Sequence, residues 1–228
     1  MKKLIYLLSV TFLLLQSCSS GEDSSSGSSV ILCKKMGPGN FTIDYVYNGN
    51  KIEKTMINDQ ILRKYYYTGN LISKVEDYID NQLRVISTFT YNNNQLISHL
   101  IIDYPDPADP FEPIYAQKTD FTHNSNNTIS YEIYSGTPTE QSKLQTNGTI
   151  TNYTYDNKNS PFKNVLGVDK IIPYPFTQCD FDSKKHNLIS KNSSDGSSWS
   201  LNYQYNNQDY PISSVYDNTS VSPRQYFY

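Results

Sequence analysis

Asp103, Asp106, Asp109 and Glu112 recur at every third position through a segment broken by Pro105, Pro107, Pro110 and Pro113. Four prolines exclude a central strand and favour polyproline geometry, which repeats every three residues, so all four carboxylates share one face. That stripe could draw a cation or dock a basic partner. At about 3.1 Å rise per residue, neighbouring carboxylates stand about 9 Å apart, too far for a single Ca²⁺ cage with oxygens near 2.4 Å. The alternative is a solvated insertion between strands. Other reactive groups are sparse. His99, His123 and His186 are scattered, and no H-x-x-x-H pair, G-x-S-x-G elbow, phosphate loop or G-x-G-x-x-G is present. No cysteine has a cysteine or histidine at ligand spacing, so no metal or other cofactor is expected. Cys33 and Cys179 could form a disulfide or remain two thiols. Two carboxylates meeting in space could hydrolyse a glycoside, a reaction needing only about 5–9 Å between them.

The first residues determine where such groups would act. Lys2 and Lys3 precede an apolar run from Leu4 to Leu15, broken only by Ser9 and Thr11. It is shorter than the about 20 residues of a spanning helix and reads as an export signal. The run ends Leu15-Gln16-Ser17-Cys18, which resembles the lipobox of bacterial lipoproteins, with Gln16 in place of the usual small residue. The resemblance implies cleavage before Cys18 and acylation of that residue. Each buried CH₂ would contribute about 0.8 kcal/mol, and more than one chain makes the anchor stable. Ser19, rather than Asp, after the cysteine implies sorting to the outer membrane. Glu22-Asp23 resembles a surface-export signal of Bacteroidota lipoproteins. Residues 1–17 are thus expected to be a signal peptide, 18–29 a Ser/Gly-rich flexible tether, and 30–228 a single domain.

Removing residues 1–17 leaves 17 basic and 22 acidic residues, a net charge of −5. No basic stripe is present, which argues against nucleic acid as a partner.

A unit recurs through the domain: two aromatics one residue apart, an Asn/Gly turn, then an aliphatic pair. Copies include Tyr45-Val46-Tyr47-Asn48-Gly49-Asn50-Lys51-Ile52, Tyr65-Tyr66-Tyr67-Thr68-Gly69-Asn70-Leu71-Ile72 and Phe89-Thr90-Tyr91-Asn92-Asn93-Asn94-Gln95-Leu96. Further copies begin at Phe121, Tyr153, Phe181 and Tyr203. Residues two apart share a strand face, and Asn and Gly accept the positive φ of hairpin turns. Phe41, Ile43, Tyr45 and Tyr47 form one such row; Val85, Ser87, Phe89 and Tyr91 a second; Trp199, Leu201, Tyr203 and Tyr205 a third. No sustained 3.6-residue period appears in the mature chain. The expected fold is all-β: a long antiparallel meander of hairpins in one large curled or wrapped sheet, with few short helices.

These units resemble the YD/RHS-like repeats of Bacteroidota lipoproteins of unknown function. Tyr155-Asp156-Asn157-Lys158-Asn159-Ser160-Pro161-Phe162-Lys163-Asn164 resembles a D-x-K-x-N-P-F-K-N segment seen there, with Ser160 in place of an Asn. The resemblance implies an envelope lipoprotein and names no activity. The leading expectation is a non-enzymatic binding module for glycan or an envelope protein, held to the membrane through Cys18. A structural envelope scaffold is the alternative, and a carboxylate-dependent glycoside hydrolase a third. Inward-packed tyrosine rings would mean architecture; rings lining a groove would mean recognition.

Overall fold

The computed structural model describes residues 30–38, 41–105, 111, 113–123, 125, 129–144, 151–171, 185–193, 196, 198–217 and 222–228, without the side chains of 129, 130, 151, 152 and 193. Its strands are β1 (Lys35–Pro38), β2 (Ile43–Asn48), β3 (Lys51–Ile57), β4 (Gln60–Thr68), β5 (Leu71–Ile79), β6 (Gln82–Asn92), β7 (Gln95–Asp103) and β8 (Tyr115–His123). They continue as β9 (Ile129–Gly136), β10 (Gln141–Lys143), β11 (Thr151–Tyr155), β12 (Leu188–Ser193), β13 (Ser198–Tyr205), β14 (Pro211–Tyr216) and β15 (Arg224–Phe227). A single 3₁₀ turn, Val168–Lys170, is the only helical element among the described residues. The all-β expectation holds, and all fifteen strands join one antiparallel sheet.

The strand order explains the curl. From β1 the meander runs outward, neighbour by neighbour, to β10 at one edge. The chain resumes as β11 at the opposite edge and returns through β12, β13 and β14 to β15, which pairs with β1. Laid flat, fifteen strands at about 4.8 Å spacing span about 67 Å. Eight Cα steps separate Lys143 from Thr151, and they reach about 30 Å at most. The sheet must therefore curl until its two edges come within that distance, although β10 and β11 do not pair among the described residues.

Local chemistry sets each hairpin. At Asn58-Asp59, Asp80-Asn81 and Asn93-Asn94 both central φ values are positive, the sign pattern of a type I′ turn. Gly49 and Gly69 take φ +60° at the first central position, where a side chain would be strained. β8–β9 keeps an unbroken register, β3–β4 and β5–β6 slip at Thr55/Met56 and Asp77/Tyr78 at one end of the sheet, and five strand pairs slip by one residue at the other end. The slip falls at Tyr47, Tyr67, Tyr91, Tyr155 and Tyr205, in each case the second aromatic of a pair. The extra residue is Glu53, Ser73, Ile97, Ile189 or Ile212 on the opposite strand. A β-bulge of this kind changes the inward spacing from two residues to three. Hence Ile52 and Thr55, Ile72 and Val75, and Leu96 and His99 are all buried.

The tyrosine rows face inward. Tyr45, Tyr65, Phe89, Phe121 and Tyr226 are buried in one core, with Tyr47, Tyr67, Tyr91, Tyr131 and Tyr203 packed against it. Val85 and Ser87 of the second expected row and Leu201 of the third are buried as well. Phe41, where the first row begins, departs from expectation: it is 62% exposed, because it precedes β2 in the β1–β2 connection.

What fills the concave side is the segment 156–171, the stretch that resembles the D-x-K-x-N-P-F-K-N motif. It lies across the hairpin turns as a plug. Phe162, Val165, Val168 and Ile171 point into the core at three-residue intervals. Successive turns hold that spacing: Val165 N donates to Phe162 O at 3.0 Å and Ile171 N to Val168 O at 3.2 Å. The Phe162 ring meets Tyr45 at 5.3 Å. Leu166 N donates to Asn50 O in the β2–β3 turn at 3.0 Å. Asn164 Nδ2 donates to Ile31 O at 2.9 Å and to the Tyr210 hydroxyl at 2.8 Å. Asn159 N donates to Asp209 O in the β13–β14 turn. One segment thus ties together the start of the domain, an outgoing hairpin and a returning hairpin.

Gly167 brings the plug backbone against the β4–β5 turn. Its φ is +81°, and a Cβ there would lie 2.9 Å from both Asn70 O and Ile72 N. Gly167→Ala is expected to cost about 1–3 kcal/mol through left-handed strain and this clash. Equilibrium urea unfolding measures it; an unchanged midpoint would show that the plug does not seat tightly on the β4–β5 turn.

Candidate functional site

The tyrosine hydroxyls link one repeat to the next. The Tyr47 hydroxyl donates to Cys33 O at 2.6 Å, and Tyr91 to Ile72 O at 2.9 Å. Ile52 N, beside the bulge, donates to the Tyr67 hydroxyl at 3.1 Å. His123 takes the same slot, its Nε2 lying 2.8 Å from Leu96 O. Tyr203 reaches back to Leu188 O at 3.1 Å. Each ring buries its body and spends its polar tip on the backbone of the preceding unit, which the bulge leaves incompletely paired. Burial pushes the Tyr67 hydroxyl up to about 12, so it stays a neutral phenol. These rows are architecture, not an exposed platform for sugars.

Cys33 is buried and has no disulfide partner among the described residues; its Sγ lies 3.4 Å from Lys35 O. Burial pushes its pKa up to about 12, which leaves it un-ionised and unreactive near neutrality. Cys179 and the anchor residue Cys18 lie outside the described residues. Asp103, the last residue of β7, is exposed, whereas Asp106, Asp109 and Glu112 also lie outside the described residues. Among the described residues no three metal-ligating side chains converge.

The best-placed carboxylates are already engaged. Glu76, on the outer face, accepts the Tyr66 hydroxyl at 2.6 Å, the Tyr78 hydroxyl at 2.8 Å and Lys74 Nζ at 2.7 Å. Burial opposes its charge, but these three donors outweigh burial and hold it below the usual carboxylate range. Lys74 also sits 4.0 Å over the Tyr66 ring. Much the same arrangement recurs on β8–β10, where Lys118 pairs with Asp120 at 2.8 Å and lies over Tyr134, and Tyr134 and Lys143 bond Glu132. Asp77 pairs with Arg63 on the inner face. Asp156 accepts Lys158 N, Asn187 N, Asn187 Nδ2 and the Tyr205 hydroxyl, which fixes the start of the plug. These carboxylates hold neighbouring strands or turns together.

Two hollows lie at opposite ends of the strands. One, of about 410 Å³, sits where the plug meets the turns and is lined by Thr68, Asn70, Asn94, Gly167 and the Asp169–Lys170 ion pair. The second, of about 370 Å³, lies at the far end between the start of β8 and the β9–β10 turn. Its walls include Pro113, Ile114, Tyr115, Gly136, Glu140 and Ser142.

The two ends differ in charge. Alternation along the meander puts reversals 49–50, 69–70, 93–94 and 124–128 at the plug end, and their sequences carry no charged residue. Reversals 39–42, 58–59, 80–81, 104–114 and 137–140 fall at the far end. Their sequences hold six carboxylates and neither lysine nor arginine. Exposed apolar groups stand at both ends: Val30, Leu144, Ile212 and Phe227 at the plug end, and Phe41, Ile79, Phe111, Ile114 and Tyr115 at the far end, where Phe111 is 93% exposed and Ile114 and Tyr115 border the hollow. The sequence shows the acidic loop but not this polarity, which appears only once strand directions are known. A usable signal existed in the turn residues themselves, Asn-Asp and Asp-Asn at one end against Gly-Asn and Asn-Asn at the other.

No family model matches the sequence, and no curated protein matches it.

His99 gives the interior a measurable property. It is buried, stacked on Phe89 at 4.6 Å, and its Nε2 has no hydrogen-bond partner among the described residues. Burial lowers its pKa from 6.5 to about 4. The unfolded chain takes up this proton below pH 6.5 and the folded chain only near 4, so stability is full above 6.5 and falls as pH drops towards 4. The loss is about 3 kcal/mol over that window. His99→Phe is expected to flatten the pH dependence of the urea midpoint between 6.5 and 4; an unaltered slope would assign the effect elsewhere.

Proposed function

We propose that this chain is an envelope lipoprotein, anchored through Cys18, whose β-repeat domain is a non-enzymatic module that binds a protein partner. The leader and the Cys18 context support the anchor and an outer-membrane address. The distribution of exposed apolar groups carries the binding reading. Single exposed apolar residues are ordinary on any surface, but a group of them beside a hollow marks an interaction site. Phe111, Ile114 and Tyr115 meet that description at the far end. A protein partner is favoured over a glycan because the aromatic rows that would stack on sugars are spent on the core.

Cys18→Ala is expected to abolish incorporation of labelled palmitate into the full chain and to release it from the membrane fraction. Label retained by that variant would refute the anchor. For binding, a photo-crosslinking residue at position 115 of the membrane-anchored chain is expected to give a discrete adduct with one polypeptide, and the same residue at position 51, at the plug-end start of β3, none. Adducts from neither position would remove the basis for a protein partner.

A further inference from the structure

We infer that a row on the inner face of the returning strands, built on Lys191 and Trp199, docks an acidic protein segment. This goes beyond the reading above, because it uses β12–β14 and not the hollow beside Tyr115. Lys191 breaks the pattern of the repeat. Three residues past Ile52, Ile72, Leu96 and Pro211 the inward slot holds Thr55, Val75, His99 and Ser214, all buried and uncharged. In the β11–β12 copy the same slot, three past Leu188, holds Lys191, with Tyr153 and Trp199 on either side of it in the register. Lys191 is half-buried and makes no hydrogen bond or ion pair among the described residues. Partial burial lowers the local dielectric, so an arriving carboxylate gains more from this ammonium than from a lysine in open solvent.

Aromatic surface lies beside the charge. Trp199, the chain's single tryptophan, is directly opposite Lys191, which puts their Cβ atoms about 4.5–5.5 Å apart. Leu201, two residues on along the same face, is buried, whereas Trp199 is half-buried and lies outside the core cluster. Its ring meets Tyr216 edge to face at 5.7 Å, which fixes its orientation. Asp217, which follows Tyr216, is held by Ser200 and Asn202 and does not compensate Lys191. A rigid tryptophan beside a tyrosine is the kind of anchor on which protein interfaces concentrate their affinity. Neither described hollow includes this row, so it offers a strip rather than a cleft, the shape that suits an extended chain segment. Charge sets the class of occupant: Lys191 takes an Asp or Glu carboxylate, and the Trp199–Tyr216 pair takes the aliphatic or proline side chain next to it.

The single tryptophan makes the site its own reporter. The full chain in a non-ionic detergent is titrated with three short peptides while Trp199 emission is followed under red-edge excitation, where the 21 tyrosines contribute little. One peptide alternates Glu with Leu and Pro; the second has Gln for every Glu and the third Lys. Emission is expected to shift and saturate with the Glu peptide, about tenfold more weakly with the Gln peptide, and not with the Lys peptide. Raising NaCl from about 50 to about 500 mM should weaken the Glu peptide about tenfold. Lys191→Gln should bring the Glu peptide down to the affinity of the Gln peptide and Lys191→Arg should keep the preference, with the urea midpoint showing that both variants fold. Silence from all three peptides, equal affinity for the Glu and Gln peptides, or a Lys191→Gln variant that still prefers Glu overturns the proposal. So does saturation by an acidic oligosaccharide alone, or self-association in sedimentation that Lys191→Gln abolishes, since the occupant would then be a glycan or a second copy. Cross-linking at position 115 does not depend on any of these results, so the two readings stand or fall separately.

Discussion

The structure depends on the insertion of Phe162, Val165, Val168 and Ile171 into the concave side of the sheet. A meander of two-residue hairpins has one apolar face and nothing in its own topology to cover it. A flat sheet of this size would expose that face to water, and about 25 cal/mol would be forgone for every Å² of apolar surface left uncovered. The plug resolves this by lying across the turns, so that curling the sheet and covering the face become one event. Its polar anchors matter as much as its apolar ones. Asn50 O, Ile31 O and Asp209 O all receive donors from it, and these carbonyls belong to parts of the chain far apart in sequence. The plug thereby fixes how tightly the outgoing and returning halves approach each other.

Much of the architecture was legible in the sequence because it is local. Tyr-x-Tyr followed by Asn-Gly specifies an inward row and a turn within about ten residues, and both occur where expected. The bulges were not foreseen. An aliphatic pair after the turn suggests simple alternation, whereas Ile72 and Val75, three apart, are the inward residues. The spacing of Leu96 and His99 carried the same hint, disguised because a histidine occupies an apolar position. The plug was noticed only as a resemblance. Its role depends on contacts with residues as distant as Ile31 and Tyr210, and no short-range pattern encodes them.

The acidic stripe shows how strand direction alters the meaning of a motif. As sequence it is a run of carboxylates with prolines. Once β7 and β8 are placed, Asp103 and Tyr115 stand opposite each other at the same end as Asp59, Asp80 and Glu140. The plug end carries the lysines Lys51, Lys163 and Lys170, partly balanced by Asp169 and Asp209. An overall charge of −3 for the whole chain hides this separation along the strand axis. The Lys–Tyr–Glu clusters on the outer face are, by contrast, neutral in sum and mutually satisfied. They stiffen neighbouring strands and leave little net field for a partner to sense.

The pairing of β15 with β1 has a consequence for folding. The partners Lys35 and Phe227 stand 192 residues apart in the sequence. Ten strands can assemble neighbour by neighbour from β1 to β10, yet one flank of that assembly stays unpaired until Arg224–Phe227 joins it. Closure is therefore a long-range step, with the slow kinetics that distant contacts impose. Until it forms, β1 offers a raw strand margin, the kind of edge along which chains stick to one another.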